Sequence, residues 1–240
     1  MLAPYEGSSS SYGTLLLTAD EVFEIGIRAV NSGMSLATHA IGDRATNQVL
    51  NGYGMLREYE RQNHLPQLRH RVEHLQLMHP DDILKPSQLA VTASMQPLHL
   101  TSDMYTADRH WGKRARFGYM LNTILQTGAP LIFGSDAPVE SPNPFLGIHA
   151  AVTRTREDGS PSEAGWYPKE KISLAQAVTA YTQTPVEIAG KPGKIGSLRP
   201  GAKADLIVLK QDPFTLPASE LYSIRPSAVM VDGQWVIEDQ

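Results

Sequence analysis

From Thr18 the chain alternates between two hydrophobic rhythms. Val22, Ile25, Ala29 and Val30 recur at helical spacing, Thr18 and Glu21 form a capping-box pair ahead of them, and Gly33 closes the stretch. Residues 19–31 therefore predict an amphipathic helix. LATHA (36–40) is a short apolar run that predicts a strand, and 42–62 reads as loop and helix. LRHRVEH (68–74) predicts a second strand, HPDDILKPSQL (79–89) a shorter helical piece weakened by Pro86, and VTASMQP (91–97) a third strand. Residues 119–128 are helix-like, and LIFGSDA, starting at 131, is a fourth strand. Residues 145–155 and 173–189 predict helices, with the Gly- and Pro-rich REDGSPSEAGWYP between them as a surface excursion. Two stretches do not fit this rhythm. GSSSS (7–11) reads as loop, and 98–118 mixes charge, aromatics and glycine in a long connector of the kind that forms lids and binding loops.

Near residue 190 the texture changes. Turns surround LIVL (206–209), and AVMVDGQWVIED places two short strands around Asp232-Gly233, a strong hairpin signal. The first 190 residues alternate strand and helix, which argues for parallel strands with crossover helices. An open doubly wound sheet and a (β/α)8 barrel both satisfy that pattern. No strand is followed by a Gly-rich phosphate loop, so nucleotide binding gets little support. A complete barrel takes roughly 250 residues, and four strands make half of one.

Composition narrows the chemistry. The 240 residues are 41% hydrophobic with a formal charge of −4, a globular composition that gives no reason to expect nucleic acid or an anionic membrane as partner. No apolar run approaches the ~18–20 residues of a membrane span. The N-terminus lacks the basic start and apolar core of a signal peptide, so the cytoplasm is the default location. With no cysteine, disulfides, thiolate metal sites and cysteine nucleophiles are excluded. A metal would have to be held by His, Asp, Glu or a modified Lys.

Such residues stand at strand ends. His39 follows LAT, His74 follows RVE, Asp136 follows LIFGS, and Gln96 and His99 surround the end of the third strand. In parallel α/β folds the carboxyl ends of strands gather at one face, and N/O donors there suit zinc or a similar divalent ion. A strand-end histidine also serves as a rim residue and Asp136 as a turn cap, and the residues alone leave both readings open. Ser135 lacks a nucleophile elbow, and no spacing pairs Glu73 with Asp136 for glycoside chemistry. Lys113, Arg114 and Arg116 read as a solvated face, with an anion contact as the alternative. Trp111 and Tyr105 fit a pocket lid and ordinary loop packing equally.

THAIGDRA (38–45), RVEHLQLMHPDD (71–82), SMQPLHLTSD (94–103), FGSDAPVESPNPFLGIHAAVTR (133–154) and GSLRPGAKADLIVLKQDPF (196–214) together resemble the amidohydrolase superfamily. Within it they are similar to the YtcJ-like branch that includes N-substituted formamide deformylases. The resemblance implies a metal-dependent hydrolase acting on an amide-like, non-peptide C–N bond. It implies a partial (β/α)8 TIM-type barrel, strands five to eight, over 1–190, and part of a small β-sandwich over 191–240. His39, His74 and Asp136 fall on metal-ligand positions, with Asp136 also the general base. The ion expected is zinc, with iron or manganese as alternatives. Gln96, His99, Asp103 and Arg109 become pocket candidates for a small-molecule substrate. His99 would face the oxyanion, and Arg109 would hold a polar substrate group or pair with Asp103 or Asp108.

The family's HxH pair, its bridging Lys or Glu and its first four strands have no counterpart here. The resemblance is thus read as one to a carboxyl-terminal portion only. An open half barrel would expose strand edges and an apolar face, so a homodimer or a missing amino-terminal half is expected as partner. The alternative function is a non-catalytic truncated fragment or interaction module assembling through that opening.

Overall fold

The computed structural model describes residues 1–238, and they form two compact units. The first comprises Met1–Met95 and Ser102–Leu131; the second comprises Gln96–Thr101 and the chain from Ile132 onward.

In the first unit, helix α1 (Ala19–Asn31) starts on the expected capping box. The Thr18 side chain accepts from the Glu21 N–H at 3.3 Å, and the Glu21 carboxylate accepts from the Thr18 N–H at 2.8 Å. Its apolar face packs on α2 (Asp43–Gln62), where Leu50, Tyr53 and Leu56 are fully buried. Gly52 sets the closeness of this pair. A Cβ there would meet the Ala19 carbonyl oxygen and Val22 Cβ at 2.8 Å each. Gly52→Val is expected to push the helices apart and to cost about 1–3 kcal/mol as overpacking, read as a lower urea midpoint with unchanged slope.

Strands β1 (Ala37–Ala40), β2 (Arg71–His74), β3 (Thr92–Met95) and β4 (Leu131–Phe133) form one sheet in the order β1-β2-β3-β4. The β1–β2 and β2–β3 pairs are parallel, with Ala40 opposite His74 and Glu73 opposite Ser94. The short helix α3 (Lys85–Gln88) precedes β3, with Pro86 tolerated in its first turn. Residues 98–118 are not the open connector expected. Helix α4 (Pro97–Trp111) and a 3₁₀ segment to Phe117 fill them, because Leu100, Met104, Ala107 and Trp111 recur at helical spacing and are buried. Trp111 is thus core, whereas Tyr105 is exposed. Arg114 is not a solvated face either. Its guanidinium donates to the Ala3 and Pro4 carbonyls at 2.9 and 2.5 Å and ties down the N-terminal segment. Helix α5 (Leu121–Gln126) then leads to β4.

In the second unit, α6 (Pro144–Thr153) is capped by Asn143. The predicted helix 173–189 is two helices, α7 (Leu174–Tyr181) and α8 (Gln183–Ile188). Pro185 lacks the N–H that would bond the Tyr181 carbonyl, so the helical ladder breaks between them. Strands β5 (Leu206–Leu209), β6 (Pro226–Val231) and β7 (Gln234–Glu238) make an antiparallel sheet of their own. The hairpin turn is as expected, with Asp232 and Gly233 at φ 49° and 81°, the left-handed pair of a type I′ turn.

The expected fold class is therefore corrected. The parallel strands are not strands five to eight of a barrel. They pair with one another in chain order as a four-stranded barrel-like sheet, and β5–β7 pair only among themselves as a separate three-stranded sheet. Among the described residues no helix is long and apolar enough to cross a membrane.

Candidate functional site

His39 lies in β1 and His74 ends β2. Parallel pairing puts His39 opposite Glu73 and Ala40 opposite His74, so strict alternation would send the two histidines to opposite faces. The alternation ends at His74. Its φ is 73° and that of Leu75 is 47°, two consecutive left-handed residues with side chains. Such backbone is costly for L-residues and concentrates at functional sites. The His39 and His74 rings meet edge-to-face with centroids 4.3 Å apart. His74 is buried and His39 exposed. His39 also lines a cavity of about 850 Å³ walled largely by apolar side chains, among them Leu15, Leu36, Ile41 and Trp111.

Gln96 and His99 follow β3, and Asp136 and Glu140 follow β4. Gln96 and His99 are buried, the latter in the first turn of α4. His99 Nε2 lies 3.5 Å from the Asp136 carboxylate and its Nδ1 lies 3.4 Å from that of Glu140. The imidazole thus stands between two carboxylates. Asp136, just past β4, has φ 55° and a side chain 42% exposed. Aspartate is among the few residues that visit this region at modest cost.

The remaining candidates lie elsewhere. The Asp103 carboxylate accepts from the Gln76 amide and from the Tyr119 hydroxyl, both at 2.7 Å, within the first unit. Arg109 is exposed on α4. Glu140, Gln76 and Tyr119 were not singled out from the sequence. Glu140 lies four residues past Asp136 in the motif FGSDAPVESPNPF, where its acid is visible but its partner, 41 residues away, is not.

His74, His99 and Asp136 form a group that could hold a metal ion. Two imidazole nitrogens and a carboxylate oxygen are the donor set that zinc and similar borderline divalent ions take, so the residues fit such an ion. Of the expected ligands, His74 and Asp136 are members of this group, and the His39 ring lies against that of His74.

Comparison with known proteins bears on this group. A family model described as "Amidohydrolase family" matches residues 1–237. YtcJ of Bacillus subtilis is 29% identical over 240 residues, spanning 98% of this chain and 43% of its own length. An N-substituted formamide deformylase of Arthrobacter pascens is 25% identical, over 95% of this chain and 41% of its own. The crystal structure of an uncharacterized metal-dependent hydrolase from Pyrococcus horikoshii OT3 superposes with a TM-score of 0.76 at 27% identity, covering 90% of this chain and 42% of that one. These matches correct the restriction of the resemblance to a carboxyl-terminal portion, because similarity extends over nearly the whole of this chain. The chain spans less than half the length of these curated relatives.

Proposed function

This chain belongs to the amidohydrolase family, and from that premise we propose that it serves the metal-dependent hydrolysis of an amide-like, non-peptide C–N bond. The observation that carries the reading is the donor group of His74, His99 and Asp136. His39, His74 and Asp136 hold the ion, zinc in the first instance, and His99 either completes the donor set or turns the Asp136 carboxylate toward the reacting atoms. The similarity to a formamide deformylase favours a substrate with a substituted nitrogen and a small acyl group.

A bound divalent ion supplies Lewis acidity, lowering the pKa of a coordinated water toward about 7 and polarising a carbonyl. The side chains do the rest. Asp136 is exposed enough to meet substrate, takes a proton from the attacking water and returns it to the leaving nitrogen. His99 at 3.5 Å holds that carboxylate in place, and Glu140 on its other nitrogen fixes the ring. Gln96 and Arg109 bind polar parts of the substrate, and the apolar cavity beside His39 takes its substituent.

Zinc retention is the first test. The purified chain, exposed to zinc and then desalted, is expected to keep a stoichiometric ion by elemental analysis and to hydrolyse members of an N-substituted amide panel. His74→Ala is expected to keep none. A parent chain that retains neither zinc, iron nor manganese would sink the proposal.

A further inference from the structure

Beyond the donor group, the backbone that carries His74 is held by a second set of residues. After His74 and Leu75, both left-handed, the chain is pinned on two sides. On one side the Leu77 N–H donates to the Ile41 carbonyl at 2.9 Å, and the Thr46 hydroxyl donates to the Leu77 carbonyl at 3.1 Å. On the other side the Tyr119 N–H donates to the Gln76 carbonyl at 2.9 Å, and the Met78 N–H donates to that of Phe117 at 3.2 Å. Gln76 and Tyr119 are buried, and their side chains touch each other through amide and hydroxyl. One carboxylate oxygen, Asp103 Oδ2, accepts from both at 2.7 Å. Tyr119 is itself left-handed, at φ 51°.

We propose that Asp103 is a positioning residue. Its carboxylate locks Gln76 to Tyr119 and so holds the left-handed turn that aims the His74 imidazole. The proposal rests on the metal-hydrolase reading for its purpose but not for its geometry. A strained turn persists only where its surroundings over-determine it. Backbone bonds on two sides fix the direction of 76–78, and the Gln76–Asp103–Tyr119 ring fixes the side chain nearest the turn. Remove the shared acceptor and the Gln76 amide and the Tyr119 hydroxyl each lose one charged acceptor. Gln76 is then free to rotate, and the turn can relax toward ordinary backbone. Supporting groups of this kind typically change metal affinity by about 10–100-fold when removed.

The test separates aim from stability. In the metal-free 240-residue chain, the His74 imidazole resonances are followed by ¹H–¹⁵N NMR; in parallel, Co²⁺ binding is titrated through its visible absorption. Asp103→Ala is expected to shift the His74 resonances and to weaken Co²⁺ by about 10–100-fold. Asp103→Asn, whose amide oxygen still accepts two bonds, is expected to stay near the parent in both. Leu50→Ala, a core change on α2, is expected to lower stability and move neither readout. Should Asp103→Ala not fold, Tyr119→Phe removes the two ring bonds of the Tyr119 hydroxyl and takes its place. The proposal is overturned if Asp103→Ala lowers only the unfolding midpoint, as Leu50→Ala does. If the parent takes up no Co²⁺ while the His74 resonances still move, the positioning role stands and the metal reading falls.

Discussion

Asp136→Asn is expected to lower amide hydrolysis by about 10²–10⁴-fold, the usual worth of a general base. The substitution isolates chemistry from architecture. Asparagine tolerates left-handed backbone as well as aspartate does, so the φ of 55° is kept. Its amide oxygen can still accept from His99, 3.5 Å away. Lost are the negative charge and the basicity. An amide can neither take a proton from water nor return one to nitrogen, so kcat carries the loss while KM moves little. Metal binding weakens as well, because a neutral oxygen is a poorer donor to a divalent cation, and the comparison is made with metal in excess. Glu140→Gln is the companion variant. It leaves Asp136 intact and removes only the carboxylate on the far nitrogen of His99, so its loss should be much the smaller. A kcat for Asp136→Asn near that of the parent, metal in place, would remove Asp136 from the proton-transfer role.

The pattern of apolar residues made the local elements legible, and long-range pairing set the limit. Helix α1, with its Thr18–Glu21 box, and the Asp232-Gly233 turn depend on residues within four positions of one another, so their signals are contained in the chain itself. Helix α4 was hidden because Pro97, Asp103 and Asp108 dilute an apolar face that is nonetheless spaced at 100, 104, 107 and 111. The strand ends at His39, His74 and Asp136 were visible. Nothing in EHLQ signals that Leu75 adopts positive φ, since leucine is a poor left-handed residue and only its surroundings impose it. The strands could be counted from periodicity, but which strand neighbours which is settled by burial on both faces. Assigning them numbers five to eight carried over a pattern from outside the chain, and the order β1-β2-β3-β4 replaces it. The partners of His99 are hidden in the sequence for the same reason. Its two acids, at 136 and 140, come from a segment far along the chain.

The largest stability effect is expected at a histidine outside the site. His70 is fully buried just before β2. The Leu36 N–H donates to its Nδ1 at 3.0 Å, which leaves the proton of the neutral ring on Nε2, 3.0 Å from the Glu60 carboxylate. Glu60, also buried, takes Arg57 on its other oxygen at 2.7 Å, and Arg57 reaches the Leu89 carbonyl at 2.8 Å. One ring thus links α2 to the starts of β1 and β2. His70→Ala leaves an amide unpaired and a buried carboxylate half-paired. The expected loss is about 3–5 kcal/mol, a large share of the roughly 5–15 kcal/mol that holds a domain together. The pH dependence has a definite sign. Desolvation, then the nearby Arg57 charge, lowers the His70 pKa below its ordinary 6.5, and the Glu60 bond opposes them only in part. Above pH 6.5 the ring is neutral in both folded and unfolded chains, and its contribution is complete. As pH falls below 6.5 the unfolded chain takes up a proton that the folded chain resists, so stability falls. His149, lowered by burial alone, adds to the same slope. Urea titrations from pH 8 to pH 5 should show a shallower acid decline in His70→Ala, with the His149 share remaining. His70→Gln, which offers one acceptor and one donor, should recover part of the loss. A loss for His70→Ala below about 1 kcal/mol, the worth of one ordinary hydrogen bond, would mean that Glu60 and Arg57 hold the strand starts without it.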